Sequence, residues 1–184
     1  SSDVCSSDLK TSDYSPTVAK IKASKANVVL YTGYYPDGGL LAKALKDGGW
    51  TGQFIGGDGV LNSAYLDVAG KAAAEGTKFT APDVPFEQVA NAAQAAAFTK
   101  ATGLKSAAGH VYVTSTYNAT SVFLQCITKG ATTRAAIQKC VTKGTFKTAD
   151  GGSISFTFAG EVNGGAPVGG FQVVGGVIKY AGAV

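Results

Sequence analysis

Between Val28 and Ala81 the chain repeats one pattern: a short apolar run, a glycine-bearing break, then a stretch with helical spacing. "NVVLYTGY" reads as a buried strand. "PDGGLLAKALKDGG" reads as a helix that turns Leu41, Ala44 and Leu45 inward and stops at Gly48-Gly49. "TGQFIGGDG" supplies a second strand and turn, "NSAYLDVAG" a short helix and "GTKFTAP" a third strand. Upstream, "DYSPTVAKIKAS" reads as a helix capped by Ser15, with Pro16 in its first turn and Val18 and Ile21 as its apolar stripe. Strands that alternate with helices over short connections imply an α/β fold around a parallel sheet.

The pattern changes after "APDVPF", where Pro82 and Pro85 mark a crossing between regions. Three helical segments follow: "EQVANAAQAAAFTKATG", "GHVYVTSTYNATSVFLQCITKG" and "TTRAAIQKCVTKG". Val122, Leu124 and Ile127 of the second should form an apolar face that lacks a sheet to cover it. Beyond "ADGG", alternating residues with Gly-rich turns read as late strands. The expected organisation is a leader at 1–10, an α/β unit at 11–83, helices at 84–150 and a closing hairpin and strand at 151–184.

The leader "SSDVCSSDL" has neither helix nor strand periodicity. Its Cys-Ser-Ser-Asp-Leu can be written back as TGC TCT TCC GAT CTN, which looks like the end of a short-read sequencing adapter; the other reading is a natural polar linker. Cys5 is set aside with it. Cys126 and Cys140 remain, on two helical segments joined by the short "KGAT" connector. An antiparallel helical hairpin puts them at similar heights, where they either form a disulfide, as in an oxidising compartment, or stay as buried thiols.

The formal charge of +4 comes from lysines spread along helical segments, such as Lys43 with Lys46 and Lys139 with Lys143. Without a basic cluster interleaved with aromatics, this reads as a solvated surface and gives no nucleic-acid footprint. No apolar run approaches the roughly 20 residues that span a bilayer. Asn118-Ala119-Thr120 fits a glycosylation sequon but falls inside a helical run, where it is assigned to chance. His110, the one histidine, stands outside any recognisable catalytic or metal-binding motif. The expectation is therefore no enzyme, no cofactor and no metal.

In open parallel sheets, ligands sit beyond the carboxyl ends of the strands, where loops surround a crevice and helix N-termini point into it. "TGYYPDGG" lies at one such end and "GGDGV" at the next. Two consecutive strands thus deliver Tyr34, Tyr35 and Asp58 to one edge, and Gly33, Gly57 and Gly59 let another molecule approach the backbone. Asp58 in a glycine-flanked turn can equally be a turn residue, and Tyr112 on a helix a core residue. Asp37 fits a helix first turn, where it complements the dipole. Trp50, after Gly-Gly, fits the edge of the core.

In order and spacing, "SPTVAKIKAS", "NVVLYTGYYPDGGLLAKALKDGGWTGQFIGGDGV", "LDVAGKAAAEGTKFTAPD" and "ISFTFAGEVNGGAPVGGFQVV" resemble the type I periplasmic binding proteins for branched-chain amino acids that serve ABC importers. The resemblance runs from about Thr11 to Tyr180. It implies a two-lobed, Rossmann-like clamp of which part is present: the later second-lobe sheet, helices that return to the first lobe, and the last hinge-crossing strand. It implies that an acid at the position of Asp58 holds the ligand's α-ammonium, that Tyr34 lines the cleft, and that Tyr112 of "YVTSTY" packs near the ligand. Many relatives carry glutamate where this chain has Asp58, which keeps the charge on a shorter arm. The groups for the ligand's carboxylate would lie in the absent first lobe. The implied function is capture of a branched-chain or related amino acid outside the cytoplasmic membrane, by hinge closure, for delivery to an ABC permease. Contact with the membrane would then come only through that permease or a lipid anchor. A ligand-sensing receptor domain of the same fold is the alternative.

Overall fold

A computed structural model describes residues 13–149 and 151–184; the leader at 1–10, Cys5 included, lies outside the described residues. In chain order, α1 (Ser15–Ala23) leads into β1 (Val28–Tyr31), α2 (Tyr35–Asp47), β2 (Gln53–Gly56), α3 (Ala64–Ala69), α4 (Lys71–Ala74) and β3 (Lys78–Ala81). Then come α5 (Phe86–Val89), α6 (Ala92–Thr102), α7 (Val113–Thr128), α8 (Arg134–Lys143) and the strands β4 (Thr145–Lys147), β5 (Ser153–Ser155), β6 (Gly169–Val174) and β7 (Val177–Ala183). The main sheet runs β1-β2-β3-β6-β7. Its first three strands are parallel, as the alternation requires, while β6 returns antiparallel to β3 and forms a hairpin with β7.

Side chains alternate across a strand, so each face of this sheet has its own set. Val29, Tyr31, Phe54, Phe79, Phe171 and Val173 pack with Leu41, Leu45, Tyr65 and Val18 from α1–α3 into the main core. The alternate residues of β1 do not. Val28 is 53% exposed and Leu30 is 67% exposed, so the expected buried strand is half uncovered. Among the described residues β1 is an edge strand, and the main core lies against the other face. An apolar run by itself cannot show which neighbours cover it.

Local chemistry sets several boundaries. Ser15 is not the cap of α1: Tyr14 stands at that position, and Asp13 accepts the Ser15 N–H at 2.9 Å. Pro16 is in the first turn, where its missing N–H costs nothing. The segment after Phe86 splits into α5 and α6 because Asn91 and Gln94 form a reciprocal capping box that restarts the helix. Asp37 lies in the first turn of α2 and also accepts the Tyr14 hydroxyl at 3.1 Å. Trp50 packs on the edge of the core and donates from Nε1 to the Ala26 carbonyl at 2.9 Å.

Two smaller clusters lie outside the main core. Phe86, Ala107 and Ala149 join α5 to the start of α7. Val122, Cys126, Ala131 and Phe146 join α7 to α8 and the small sheet β4–β5, and Cys126 and Cys140 are disulfide-bonded within this group. Val122 is thus buried, against expectation, while Phe123, Leu124 and Ile127 on α7 remain exposed. Asn118 sits within α7 and its side-chain oxygen accepts the Ala149 N–H at 3.0 Å, a structural role for the sequon asparagine.

Candidate functional site

The turns that follow β1 and β2 are stitched together at the carboxyl edge of the parallel strands. Gly57 donates its N–H to the Tyr31 carbonyl at 3.1 Å, and Tyr35 donates to Gly59 at 2.9 Å. Gly59 has no room for a side chain, since a Cβ there would stand 2.6 Å from the Gly33 carbonyl oxygen and 3.3 Å from the Tyr34 ring. Asp58 and Tyr34 are therefore neighbours because two strand-end turns touch.

From the other side, α7 brings Tyr112, whose hydroxyl donates to the Asp58 carboxylate. Tyr112 immediately precedes α7 with a left-handed backbone, φ 67°, which non-glycine residues rarely adopt. That conformation delays the helix to Val113 and turns the chain, so Tyr112 faces the site instead of the helical core the bland reading gave it. The bond to Asp58 raises the Tyr112 pKa, because the phenolate would face a carboxylate. Tyr34 is 66% exposed and Tyr112 44%, while Asp58 is half-buried. Exposed aromatic area around an acid is a surface that can cover an apolar ligand carrying a cation.

The three predicted glycines serve different ends. Gly33 lies beneath the Tyr31 ring, whose hydroxyl would come within 2.4 Å of a Cβ, so its openness is used inside the protein. Gly59 is used in the same way. At Gly57 a Cβ would meet nothing within 4 Å, which leaves open space for an approaching molecule. His110 pairs through its backbone with Asn62 and takes no part in the Asp58–Tyr112 contact.

Sequence reasoning missed Tyr31 and Asp83. The Tyr31 hydroxyl is buried with no hydrogen-bond partner, and burial raises its pKa. A buried hydroxyl without a partner carries a desolvation cost of about 1–3 kcal/mol. Tyr31→Phe removes it without changing the ring, so its thermal midpoint should equal or exceed that of the parent; a clear fall in a melting experiment would show that the hydroxyl is bonded in solution. Asp83 is buried at 6% exposure and accepts the Ser115 hydroxyl at 3.0 Å. Burial raises its pKa, and hydrogen bonds from Ser115, Val84 and Thr114 partly offset this.

Two hollows of about 280 and 540 Å³ lie at the opposite end of the sheet, around Trp50, Gly52 and Gln53. They are remote from Asp58, and neither includes a predicted site residue. On this chain the candidate site is an open shelf.

The model of the family described as periplasmic binding protein matches residues 6–174. Leu/Ile/Val-binding protein homolog 1 of Brucella abortus (strain 2308) is 38% identical over 86 residues, which are 47% of this chain and 23% of that protein. The crystal structure of the branched-chain amino acid transporter substrate-binding protein LivJ from Streptococcus pneumoniae, in complex with isoleucine, superposes with a TM-score of 0.77 at 18% identity, over 96% of this chain and 49% of that one. A solute-binding protein of an R. palustris ABC transporter, in complex with benzoate, gives 0.67 at 14% identity over 95% and 48%. The chain thus spans about half the length of these solved structures. At such identities the likeness concerns the fold.

Proposed function

Because the chain belongs to the periplasmic binding protein family, we propose that it forms part of an extracytoplasmic clamp that captures a branched-chain or related amino acid and presents it to an ABC permease. Residues 11–83 would carry one wall of the cleft and residues 84–150 would extend into the other lobe, with the 151–184 strands crossing between them. The ligand is bound and released without chemical change, by closure about these crossings.

The observation that carries this reading is the Asp58–Tyr112 hydrogen bond, with Tyr34 on the adjoining strand-end turn, at the carboxyl ends of parallel strands. Asp58 would take the α-ammonium, and the rings would cover the branched side chain. As the cleft closes and water leaves, the charge pair gains strength, since attraction between ions grows as the local dielectric falls. Gly57 leaves the backbone open on that side.

The test is calorimetric titration of the full-length protein with leucine, isoleucine and valine, and with aspartate and lysine as charged controls. At least one branched-chain ligand should bind, and each control should bind at least tenfold more weakly. Preferential binding of a charged amino acid, or binding of none of the five, would overturn the assignment.

A further inference from the structure

The residue at the N-cap of α7 cannot cap it. Tyr112 makes no side-chain bond to the helix, and its ring is turned toward Asp58. The first-turn N–H groups, normally bonded by a Ser, Asp or Asn at that position, need another acceptor. Asp83, about thirty residues upstream, stands against that first turn. Its carboxylate takes the Ser115 hydroxyl at 3.0 Å, and the nearby backbone N–H groups of Thr114 and Ser115 favour its charged form. A reciprocal bond runs back, from the Thr114 hydroxyl to the Val84 carbonyl at 2.5 Å. Both Asp83 and Thr114 are buried, so water does not compete freely for these bonds.

The backbone of Asp83 is held from a third direction. Ala81 pairs with Gly169 of β6, and a Cβ on Gly169 would stand 2.4 Å from the Asp83 carbonyl oxygen. Only a glycine lets β6 pass this close. One residue therefore joins the end of β3, the start of β6 and the first turn of α7.

We infer that Asp83 is a positioning residue: by tying the first turn of α7, through Ser115, to the segment that follows β3, it holds the start of the helix in place and fixes the Tyr112 hydroxyl against Asp58. This rests on the proposed reading of Asp58 as the ammonium acceptor, because Tyr112 then orients the carboxylate that the ligand meets. Loss of this tie lets the first turn of α7 fray and withdraws Tyr112 from Asp58, while the main core, built from other residues, stays folded.

The experiment reads Tyr112 directly and needs no ligand. With 3-fluorotyrosine placed at position 112 of the full-length protein, the fluorine resonance should shift when Asp58→Asn is introduced. The same shift should appear in an Asp83→Asn background, where the amide oxygen still accepts the Ser115 hydroxyl, and should fall by more than half in Asp83→Ala. An undiminished shift in Asp83→Ala would overturn the inference, since a merely structural residue would lower the melting midpoint without uncoupling Tyr112 from Asp58. If Asp83→Ala does not fold, the double change Thr114→Val with Ser115→Ala removes the other ends of the same bonds and carries the same two outcomes. A shift that behaves as expected in a protein that binds no leucine would uphold the positioning role and refute the amino-acid reading.

Discussion

Asp58→Asn is expected to weaken amino-acid binding by at least tenfold while leaving the protein folded. The two side chains have nearly the same shape, and the asparagine oxygen can still accept the Tyr112 hydroxyl, so what is lost is the charge. Removing one member of a buried, hydrogen-bonded charge pair costs roughly 2–5 kcal/mol. Because asparagine keeps a hydrogen-bond acceptor, the low end of about 2 kcal/mol applies, roughly a thirtyfold rise in Kd. Stability should barely change, since Asp58 is half-buried and contributes little to the core. Calorimetry on the variant beside its melting curve separates the two effects, and unchanged affinity in a folded variant would remove Asp58 from the site.

Opening the Cys126–Cys140 bond should produce the largest loss of stability. The bond closes a loop with a sequence separation of 14, and closing a loop near that size stabilises by about 3 kcal/mol, through lost freedom of the unfolded chain. For a protein of this length that corresponds to a fall in Tm of roughly 6–12 °C. The cluster it staples is small, with Val122, Cys126, Ala131 and Phe146 at its centre, so little apolar burial remains to hold α8 once the bond is cut. The double change Cys126→Ala with Cys140→Ala avoids burying new hydroxyls. Equal melting midpoints for that variant and the oxidised parent would show that the hairpin holds without its staple. Binding should be less affected than stability, because the pair sits well along α7 from Tyr112.

The parts of the fold that were legible in the sequence are those that local spacing determines. Helix and strand alternation from Val28 to Ala81 gave the parallel strands, and the breaks at Gly33 and Gly57 put Tyr34 and Asp58 at one edge. The helical hairpin likewise put Cys126 near Cys140. What periodicity could not supply is what lies beside each element. Val28 and Leu30 have the composition of a covered strand, yet they lie exposed on β1, an edge strand among the described residues. The antiparallel return of β6 is invisible in a pattern that reads strands one at a time. Asp83 is harder still: aspartates are mostly exposed, and its burial depends on α7 and β6 arriving from distant parts of the chain. The late start of α7 follows from one left-handed residue, Tyr112, which a tyrosine in a helical run does not announce.

The same fold is found with isoleucine bound in one solved structure and benzoate in another, so architecture does not decide whether a ligand needs an ammonium group. On the proposed reading Asp58 decides it, and the most direct measurement is a calorimetric comparison of leucine with 4-methylpentanoate, the same molecule without its amino group. Leucine is expected to bind at least thirtyfold tighter, by the same loss of about 2 kcal/mol that removing either partner of the pair brings. Equal affinity for the two would contradict the central claim that this acid, bonded to Tyr112, grips the positive end of an amino acid.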